Sequence, residues 1–224
     1  MPRYEVNGIL LEISNAHLSP SLKDALKIGK YERQELFAIR THLRPDDTVL
    51  EVGTGIGYLA IEAARVVGGQ NLTTVEANPK LFDNIRSNFA LNGIDDITLL
   101  NFAVLAGPGP DRVRFHIPKA FHAASLHGAK IPFARKIKVN SAALNDLLVV
   151  RKATVLICDA EGAEVDYFFT PLPAQLRLII LEVHPRRYGE AEIEAIFTRL
   201  AALGFRYELD GSKWPVVCFL REDA

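Results

Sequence analysis

The chain has little of three things that mark special classes of protein. It contains two cysteines in 224 residues, too few for a disulfide-stapled scaffold, and we expect Cys158 and Cys218 to be buried thiols, although a disulfide stays open. No apolar run approaches the ~20 residues of a membrane span, and residues 1–14 carry charges unlike a signal peptide. The formal net charge is −1, so overall charge draws the chain neither to nucleic acid nor to a membrane. These absences favour a soluble, cytoplasmic, globular protein with no membrane partner.

Short apolar runs alternate with amphipathic runs of helical period. The strand-like runs lie at 48–52, 72–76, 97–102, 154–159 and 178–183. The helix-like runs lie at 58–67, 79–91, 163–169 and 190–203. Repeated β–α units predict an α/β fold with a doubly wound, mostly parallel sheet. Two further runs, 205–209 and 216–220, flank Asp210-Gly211-Ser212 and predict a C-terminal antiparallel hairpin, which brings the sheet to seven strands.

The length of the chain fits one domain with a substantial core. We expect a single domain over residues 1–224. Helix-like runs at 22–28 and 31–42 predict a helical N-terminal extension over residues 1–45. We expect residues 104–140 to be an irregular basic insert, in which 112–117 and 136–140 look like added strands.

A glycine-rich turn follows the first strand of the repeated units. Residues 51–57 read Glu-Val-Gly-Thr-Gly-Ile-Gly, and an amphipathic helix pattern comes directly after them. Glycine lets a ligand approach the backbone, and the following helix offers unpaired N–H groups. The motif resembles motif I of the class I S-adenosylmethionine (SAM) methyltransferases. A dinucleotide site and a turn without ligand stay open, although Tyr58 replaces the third glycine of the dinucleotide pattern.

The ends of the next strands carry further candidates for the cofactor site. Glu76 ends the second strand, where a carboxylate accepts hydrogen bonds from a ribose diol, unless it only faces solvent. Asn101 and its neighbours end the third strand and could contact an adenine edge. The residues expected at the cofactor are Glu51, Gly53, Thr54, Gly55, Gly57, Tyr58, Glu76, Ala77, Asn101, Phe102, Ala103 and Asp159.

Acids and a histidine follow the fourth and fifth strands. Asp159, Glu161 and Glu164 lie within six residues, and His184 follows the next strand. An alcohol acceptor needs a base within hydrogen-bond reach, and histidine titrates near neutral pH. We expect His184, Asp159 and Glu161 to be catalytic, with the choice of base open. Acids at a helix start and a histidine at a strand end also have purely structural roles.

Residues 111–152 hold nine lysines and arginines and two acids, a net charge of +7. The segment is either a solvated face or a substrate lid for an anionic acceptor. Its histidines, His116, His122 and His127, fit no metal motif, and we expect no metal site.

Together these pieces resemble the FkbM family of SAM-dependent methyltransferases. The pieces are Tyr31-Glu32, the glycine motif at 51–57, Val75-Glu76, Asn92-Gly93, Asn101-x-Ala103, Ala124-Ser125-Leu126, Asp159-x-Glu161-Gly162-x-Glu164 and Glu182-x-His184. The resemblance implies a Rossmann-like SAM-methyltransferase fold, SAM as cofactor, and methyl transfer to a hydroxyl of a sugar or polyketide-like acceptor. We therefore expect a small-molecule acceptor, with an anionic one left open, and regard nucleic acid as an improbable partner. A nucleic-acid methyltransferase and a non-catalytic SAM-binding protein stay open as alternatives, and the oligomeric state stays unknown.

Overall fold

Residues 1–15, 18–117 and 135–222 are described by the structure, a computed structural model of the chain. Their strands are β1 (Arg3–Val6), β2 (Ile9–Glu12), β3 (Val49–Val52), β4 (Leu72–Val75), β5 (Thr98–Leu100), β6 (Ala103–Leu105), β7 (Arg112–Ile117), β8 (Arg135–Ala143), β9 (Val155–Cys158), β10 (Leu178–Glu182), β11 (Phe205–Lys213) and β12 (Val216–Arg221). Their helices are α1 (Pro20–Lys27), α2 (Arg33–His42), α3 (Tyr58–Val67), α4 (Phe82–Leu91), α5 (Leu144–Val150), α6 (Pro185–Tyr188) and α7 (Glu190–Ala202). Short 3₁₀ segments span Gly69–Asn71, Pro79–Leu81 and Ala163–Phe169.

The main sheet has seven strands in the order β11-β12-β10-β9-β3-β4-β5. The strands from β10 to β5 run parallel, and β12 pairs antiparallel with both β10 and β11. This confirms the predicted α/β fold with a C-terminal antiparallel hairpin. The carboxyl ends of β3, β4, β9 and β10 meet at one edge, where ligands bind in sheets of this kind.

The buried strands divide their side chains between two cores, because successive residues of a strand point to opposite faces. Val49 and Ile157 pack with α1 to α4 on one face, and Leu50 and Leu156 pack with α5 and α7 on the other. Each buried leucine or isoleucine contributes about 1.5–3 kcal/mol. The sheet is therefore covered by helices on both sides, as predicted.

The two cysteines also lie on opposite faces of the sheet. Cys158 packs in the core with α5 and α7, and Cys218 packs in the core with α1 to α4. Both are free, buried thiols, as expected.

Two local predictions are wrong. The extension at residues 1–45 is helical only in part, because β1 and β2 form an antiparallel hairpin ahead of α1. Asp210-Gly211-Ser212 lies inside β11, where the pairing with β12 shifts register, and the hairpin turns at Trp214–Pro215. Gly211, with a φ of 85°, forms a bulge there, a common role of glycine within a strand.

The basic insert contains the two added strands predicted at 112–117 and 136–140, which are β7 and the first part of β8. β7 and β8 pair antiparallel, and β8 pairs parallel with β6 to complete a three-stranded sheet. The two strand predictions are thus confirmed. His122, His127 and Ala124-Ser125-Leu126 lie outside the described residues.

Among the residues that the structure describes, no helix is both long and apolar enough to cross a bilayer.

Candidate functional site

The glycine turn closes tightly over the ends of three strands. The N–H of Gly53 donates to the carbonyl of Val75 at 2.9 Å, which ties the turn to β4. The φ of Gly53 is 97°, and a Cβ there would lie 2.0 Å from the carbonyl oxygen of Asp159. Only glycine allows this close approach, so the turn is fitted against the end of β9.

Glu76 is bound to the same turn. Its carboxylate accepts from the N–H of Gly55 at 3.0 Å and from the N–H of Asn78 at 2.7 Å. Burial raises the pKa of Glu76 to about 7, although these backbone bonds favour the charged form. The acid at the end of β4 is therefore held rigidly beside the glycines.

An open cleft lies in front of the turn. Six residues expected at the cofactor line it: Gly53, Gly55, Glu76, Ala77, Phe102 and Asp159. Glu161, expected to be catalytic, lines it as well. The sequence motifs from four separate strand ends thus converge on one cleft.

Two further residues of the motif lie beneath the turn. Thr54 is buried, and its hydroxyl pairs with that of Thr74, which in turn donates to Glu51. Glu51 is 1% exposed, and its other oxygen has no hydrogen-bond partner. Burial raises the pKa of Glu51 to about 8. These side chains support the turn from the sheet side.

The remaining four residues expected at the cofactor border the cleft without lining it. Gly57 packs against Phe89, and the Tyr58 hydroxyl accepts from Asn7 at 2.8 Å. Asn101 donates to the carbonyl of Glu76 at 2.8 Å, which braces the segment after β4. Ala103 begins β6 and is buried in the small core of the three-stranded sheet.

His184 stands at the edge of the cleft among carboxylates. Its Nδ1 lies 2.7 Å from Glu164, and its Nε2 lies 3.4 Å from Asp159 and 3.5 Å from Glu161. Burial would lower its pKa, but the bond to Glu164 and the nearby Asp159 and Glu161 raise the pKa of His184 to about 9. The structure therefore brings all three expected catalytic residues together.

The carboxylates around His184 share its surroundings. Burial and the charge of Asp159 raise the pKa of Glu161 to about 7 and that of Glu182 to about 9. Burial also raises the pKa of Asp159. Arg187 forms an ion pair with Glu161. Such shifted groups beside a cleft are typical of functional sites.

Two glutamates that line the cleft have left-handed backbones. Glu32 has a φ of 44° and Glu161 a φ of 52°. Left-handed conformations cost non-glycine residues roughly 1–3 kcal/mol and cluster at active sites. The cleft therefore stores strain at two acidic positions.

The structure adds cleft residues that were not expected at the site. Tyr31 and Glu32 line the cleft, and the Tyr31-Glu32 pair was already one of the family-like motifs. Phe115 and Tyr167 also line it, and Glu35 interacts electrostatically with Asp159 and His184. The sequence carries no local signal for these last three, because tertiary packing alone brings them in.

A basic ladder, defined here as Arg112, Arg114, His116, Lys136 and Lys138, covers the outer face of the β7–β8 hairpin. Arg114 stands directly opposite Lys138, and His116 opposite Lys136. No ion pair of the described residues joins the ladder to an acid. Phe115, on the inner face of the same strand, lines the cleft. The ladder therefore lies on the opposite face of the hairpin from the cleft.

Comparison with known proteins finds methyltransferases. A family model described as Protein-L-isoaspartate(D-aspartate) O-methyltransferase (PCMT) matches residues 33–113. Ribosomal protein L11 methyltransferase of Thermus thermophilus is 38% identical over 118 residues, which cover 51% of this chain and 44% of that protein. Ribosomal RNA small subunit methyltransferase A of Chlorobium phaeobacteroides is 38% identical over 78 residues, which cover 34% of this chain and 28% of that protein.

Among solved structures, ribosomal protein L11 methylase from Lactobacillus delbrueckii subsp. bulgaricus aligns with a TM-score of 0.48 at 18% identity, covering 85% of this chain and 77% of that one. The chain spans less than half the length of the two curated relatives named above.

These relatives overturn one expectation. A small-molecule acceptor with nucleic acid as an improbable partner is wrong, because the relatives are named for a ribosomal protein and a ribosomal RNA. The small-molecule acceptor came from the FkbM resemblance, and nucleic acid was set aside because the overall charge is near neutral, although residues 111–152 carry a net charge of +7. The strand order, the glycine turn and the matching sequences are all typical of methyltransferases. The chain is therefore similar in sequence and in strand order to the class I SAM-dependent methyltransferases, a superfamily whose cofactor is SAM.

Proposed function

We propose that this protein transfers the methyl group of SAM to a hydroxyl of an RNA. The observation that carries the proposal is the basic ladder on the hairpin whose inner face lines the cofactor cleft. The name of the ribosomal RNA relative agrees with it.

The ladder has the charge of a polyanion-binding surface. Like charges directly opposite each other destabilise a strand pair, by roughly 0.2–1 kcal/mol each. Arg114 and Lys138 form such a pair, and both are exposed. An RNA backbone laid across the hairpin would neutralise the ladder and release counterions. The ladder is therefore more readily explained as a phosphate-binding face than as a stabilising element.

The cofactor side is proposed from the cleft residues. Gly53 and Gly55 leave backbone uncovered for the amino-acid end of SAM, and Glu76 offers its carboxylate to the ribose. Ala77 and Phe102 flank the position expected for the adenine. Glu51, once ionised, contributes negative charge beneath the sulfonium.

The chemistry needs a positioned acceptor and a place for one proton. Bound SAM supplies an electrophilic methyl group, and transfer of that methyl to a hydroxyl oxygen releases the hydroxyl proton. Asp159, Glu161 and His184 are the groups proposed to receive it, since Nε2 of His184 lies within 3.5 Å of both carboxylates. A base in reach contributes about 10²–10⁴-fold in rate.

A second candidate function is methylation of a protein amine. The acids around His184 would attract an ammonium group, and two relatives are named for ribosomal protein L11 and for protein lysine. The acceptor that takes the methyl group separates the two candidates.

Membership of the FkbM family is proposed within the superfamily. Its support is that Asp159, Glu161 and Glu164, which belong to one family-like motif, all lie within 3.5 Å of His184, which belongs to another. The small hydroxyl acceptor of that family is not carried over. A cytoplasmic location stays a prediction.

The test follows labelled methyl groups from SAM into ribosomal RNA and ribosomal protein. We expect label in RNA for the wild type and a strong loss of it in an Arg114→Glu/Lys138→Glu variant. Lys23→Glu/Lys27→Glu on α1 makes the same change in net charge away from the cleft and should keep full activity. RNA binding should weaken with salt, and less steeply in the ladder variant.

Label in protein alone would select the amine candidate. Equal losses in both double variants would mean that overall charge, not the ladder, attracts RNA. Label in neither fraction, with SAM bound, would refute methyl transfer to either class.

A further inference from the structure

We propose that Asp159, Glu182 and His184 form a site for one divalent cation such as Mn²⁺, at the carboxyl ends of β9 and β10. One ligand atom from each residue lies within 4.8 Å of the other two. The His184 Nε2 atom lies 3.4 Å from Asp159 and 3.9 Å from Glu182. Ligands that bind one ion at about 2.0–2.2 Å lie about 3–4 Å apart, so the spacing suits a shared ion.

The ring of His184 is oriented as in many metal sites. Its Nδ1 bonds to the carboxylate of Glu164 at 2.7 Å. Glu164 is fully buried and is itself held by the hydroxyl of Tyr188 at 2.9 Å and the N–H of Gly162 at 2.8 Å. With Nδ1 bonded to Glu164, Nε2 is the ring nitrogen that lies near Asp159 and Glu182. Metal-bound histidines commonly donate their other nitrogen to a carboxylate in this way.

Two buried oxygens beside this cluster have no hydrogen-bond partner, which points to a missing cation. Oδ1 of Asp159, the atom nearest to His184 Nε2, is inaccessible to solvent and unpartnered. Glu35 is 7% exposed, and its Oε2 is also unpartnered. Glu35 belongs to α2, which packs against β10, and it interacts electrostatically with Asp159, Glu182 and His184. Buried polar atoms normally have partners, so these two need one.

Among the described residues, this cluster holds more carboxyl groups than cationic groups. Arg187 pairs with Glu161, and the imidazole of His184 lies 3.4 Å from Asp159 and 3.9 Å from Glu182. Buried carboxylates are normally paired or coordinate a metal. Oxygen ligands with one imidazole suit Mn²⁺ and related divalent ions. The sequence displays no metal motif, because the three ligands belong to the ends of two different strands. Asp159 follows β9, whereas Glu182 and His184 lie two residues apart at the end of β10.

The site adjoins the cofactor cleft through Asp159, which lines it. An ion there would hold the acceptor hydroxyl beside the cofactor and make it more acidic. This role rests on the proposed function, whereas binding of the ion does not. An ion would also neutralise the acids that favour an amine acceptor.

The experiment measures binding of Mn²⁺ to metal-free protein by electron paramagnetic resonance, without SAM or RNA. We expect one ion per chain, with a nitrogen coupling from His184 in the spin-echo spectrum. Glu182→Gln and Asp159→Asn should weaken binding roughly tenfold or more, and Glu164→Gln should weaken it through loss of ring orientation. Thermal melts in EDTA verify that each variant folds.

Glu161→Gln is the matched control, because Arg187 holds that carboxylate and the proposal leaves it outside the ligand set. It should keep Mn²⁺ affinity close to the wild type. No uptake by folded wild type, or uptake without nitrogen coupling, would overturn the site. An equal loss in Glu161→Gln and Glu182→Gln would overturn the ligand assignment. Methyl transfer enters none of these readouts, so failure of the proposed function is seen separately.

Discussion

The carboxylate of Glu76 accepts a hydrogen bond from the backbone N–H of Gly55 at 3.0 Å. The acid at the end of β4 and the glycine turn after β3 are therefore one rigid unit. Its second oxygen accepts from Asn78 at 2.7 Å, so both oxygens are already held in place. A ligand that approaches this carboxylate meets a preorganised acceptor.

Glu76→Gln should weaken SAM binding by tenfold or more. An amide places an NH₂ donor against one of two backbone donors and removes the charge that strengthens bonds to a ribose diol. Hydrogen bonds to a charged group are worth about 1.5–3 kcal/mol, and about 1.4 kcal/mol is tenfold in affinity. Calorimetric titration with SAM measures the change. Glu194→Gln, an exposed acid on α7, is the control and should bind as the wild type does. Unchanged affinity in Glu76→Gln would move the ribose elsewhere.

Gly53→Ala should destabilise the protein far more than Gly204→Ala. Both glycines have positive φ, so both variants bear the backbone strain of about 1–3 kcal/mol. A Cβ at Gly53 would also meet the Asp159 carbonyl at 2.0 Å, whereas one at Gly204 would meet nothing within 4 Å. Chemical denaturation measures the free energy of unfolding of both variants. If the two variants lost equal stability, the close approach of the turn to β9 would be absent in solution.

The fold followed from local patterns that the sequence displays directly. The apolar runs that form β3, β4, β9 and β10 are short and bounded by polar residues, so their periodicity identifies them. The glycine turn is equally local, because the required backbone angles depend on glycine itself. Gly211 was misassigned for the same reason: glycine suits a bulge as well as a turn, and only the pairing with β12 decides.

Only the site residues that directly follow predicted strands could be expected from the sequence to lie together. Asp159 and His184 end strands that are neighbours in the sheet, so their meeting follows from the strand order. Glu35 lies on α2, far from His184 in sequence, and reaches the cluster only through helix packing. The same limit applies to the basic ladder, because the pairing of Arg114 with Lys138 depends on a register that the sequence does not display.

Asp47→Asn should lower stability at neutral pH by about 3–5 kcal/mol, because it leaves the largely buried guanidinium of Arg177 without an anionic partner. Burial opposes ionisation of Asp47, but Arg177, the N–H of Arg44 and the hydroxyl of Thr154 lower its pKa. A lowered folded-state pKa stabilises the protein above the unfolded value of about 3.9, and this contribution disappears as pH falls below it.

Urea denaturation across the acid and neutral range tests this prediction of the Asp47 pair. The difference in free energy of unfolding between wild type and Asp47→Asn should become smaller in the acid range. Asp24→Asn, an exposed acid on α1, should stay within about 0.5 kcal/mol of wild type throughout. A gap that does not change with pH would mean that the lost contacts are steric and not ionic.

Glu51→Gln should stabilise the protein without ligand and weaken its binding of SAM. Burial raises the folded-state pKa of Glu51 to about 8, against an unfolded value of about 4.3. The folded state therefore binds this proton more tightly, and the stability of the wild type falls as pH rises from about 4.3 to about 8. The amide has no proton to lose, and its carbonyl can still accept from Thr74, so the variant should gain stability over that range.

The same Glu51→Gln variant lacks the charge proposed to lie beneath the sulfonium, so its affinity for SAM should be lower than that of the wild type above a pH of about 8. Thermal melts and calorimetry on both sides of that pH measure the two effects. A variant that is less stable there, or that binds SAM as well as the wild type does, would show that Glu51 serves only to hold the turn through Thr74.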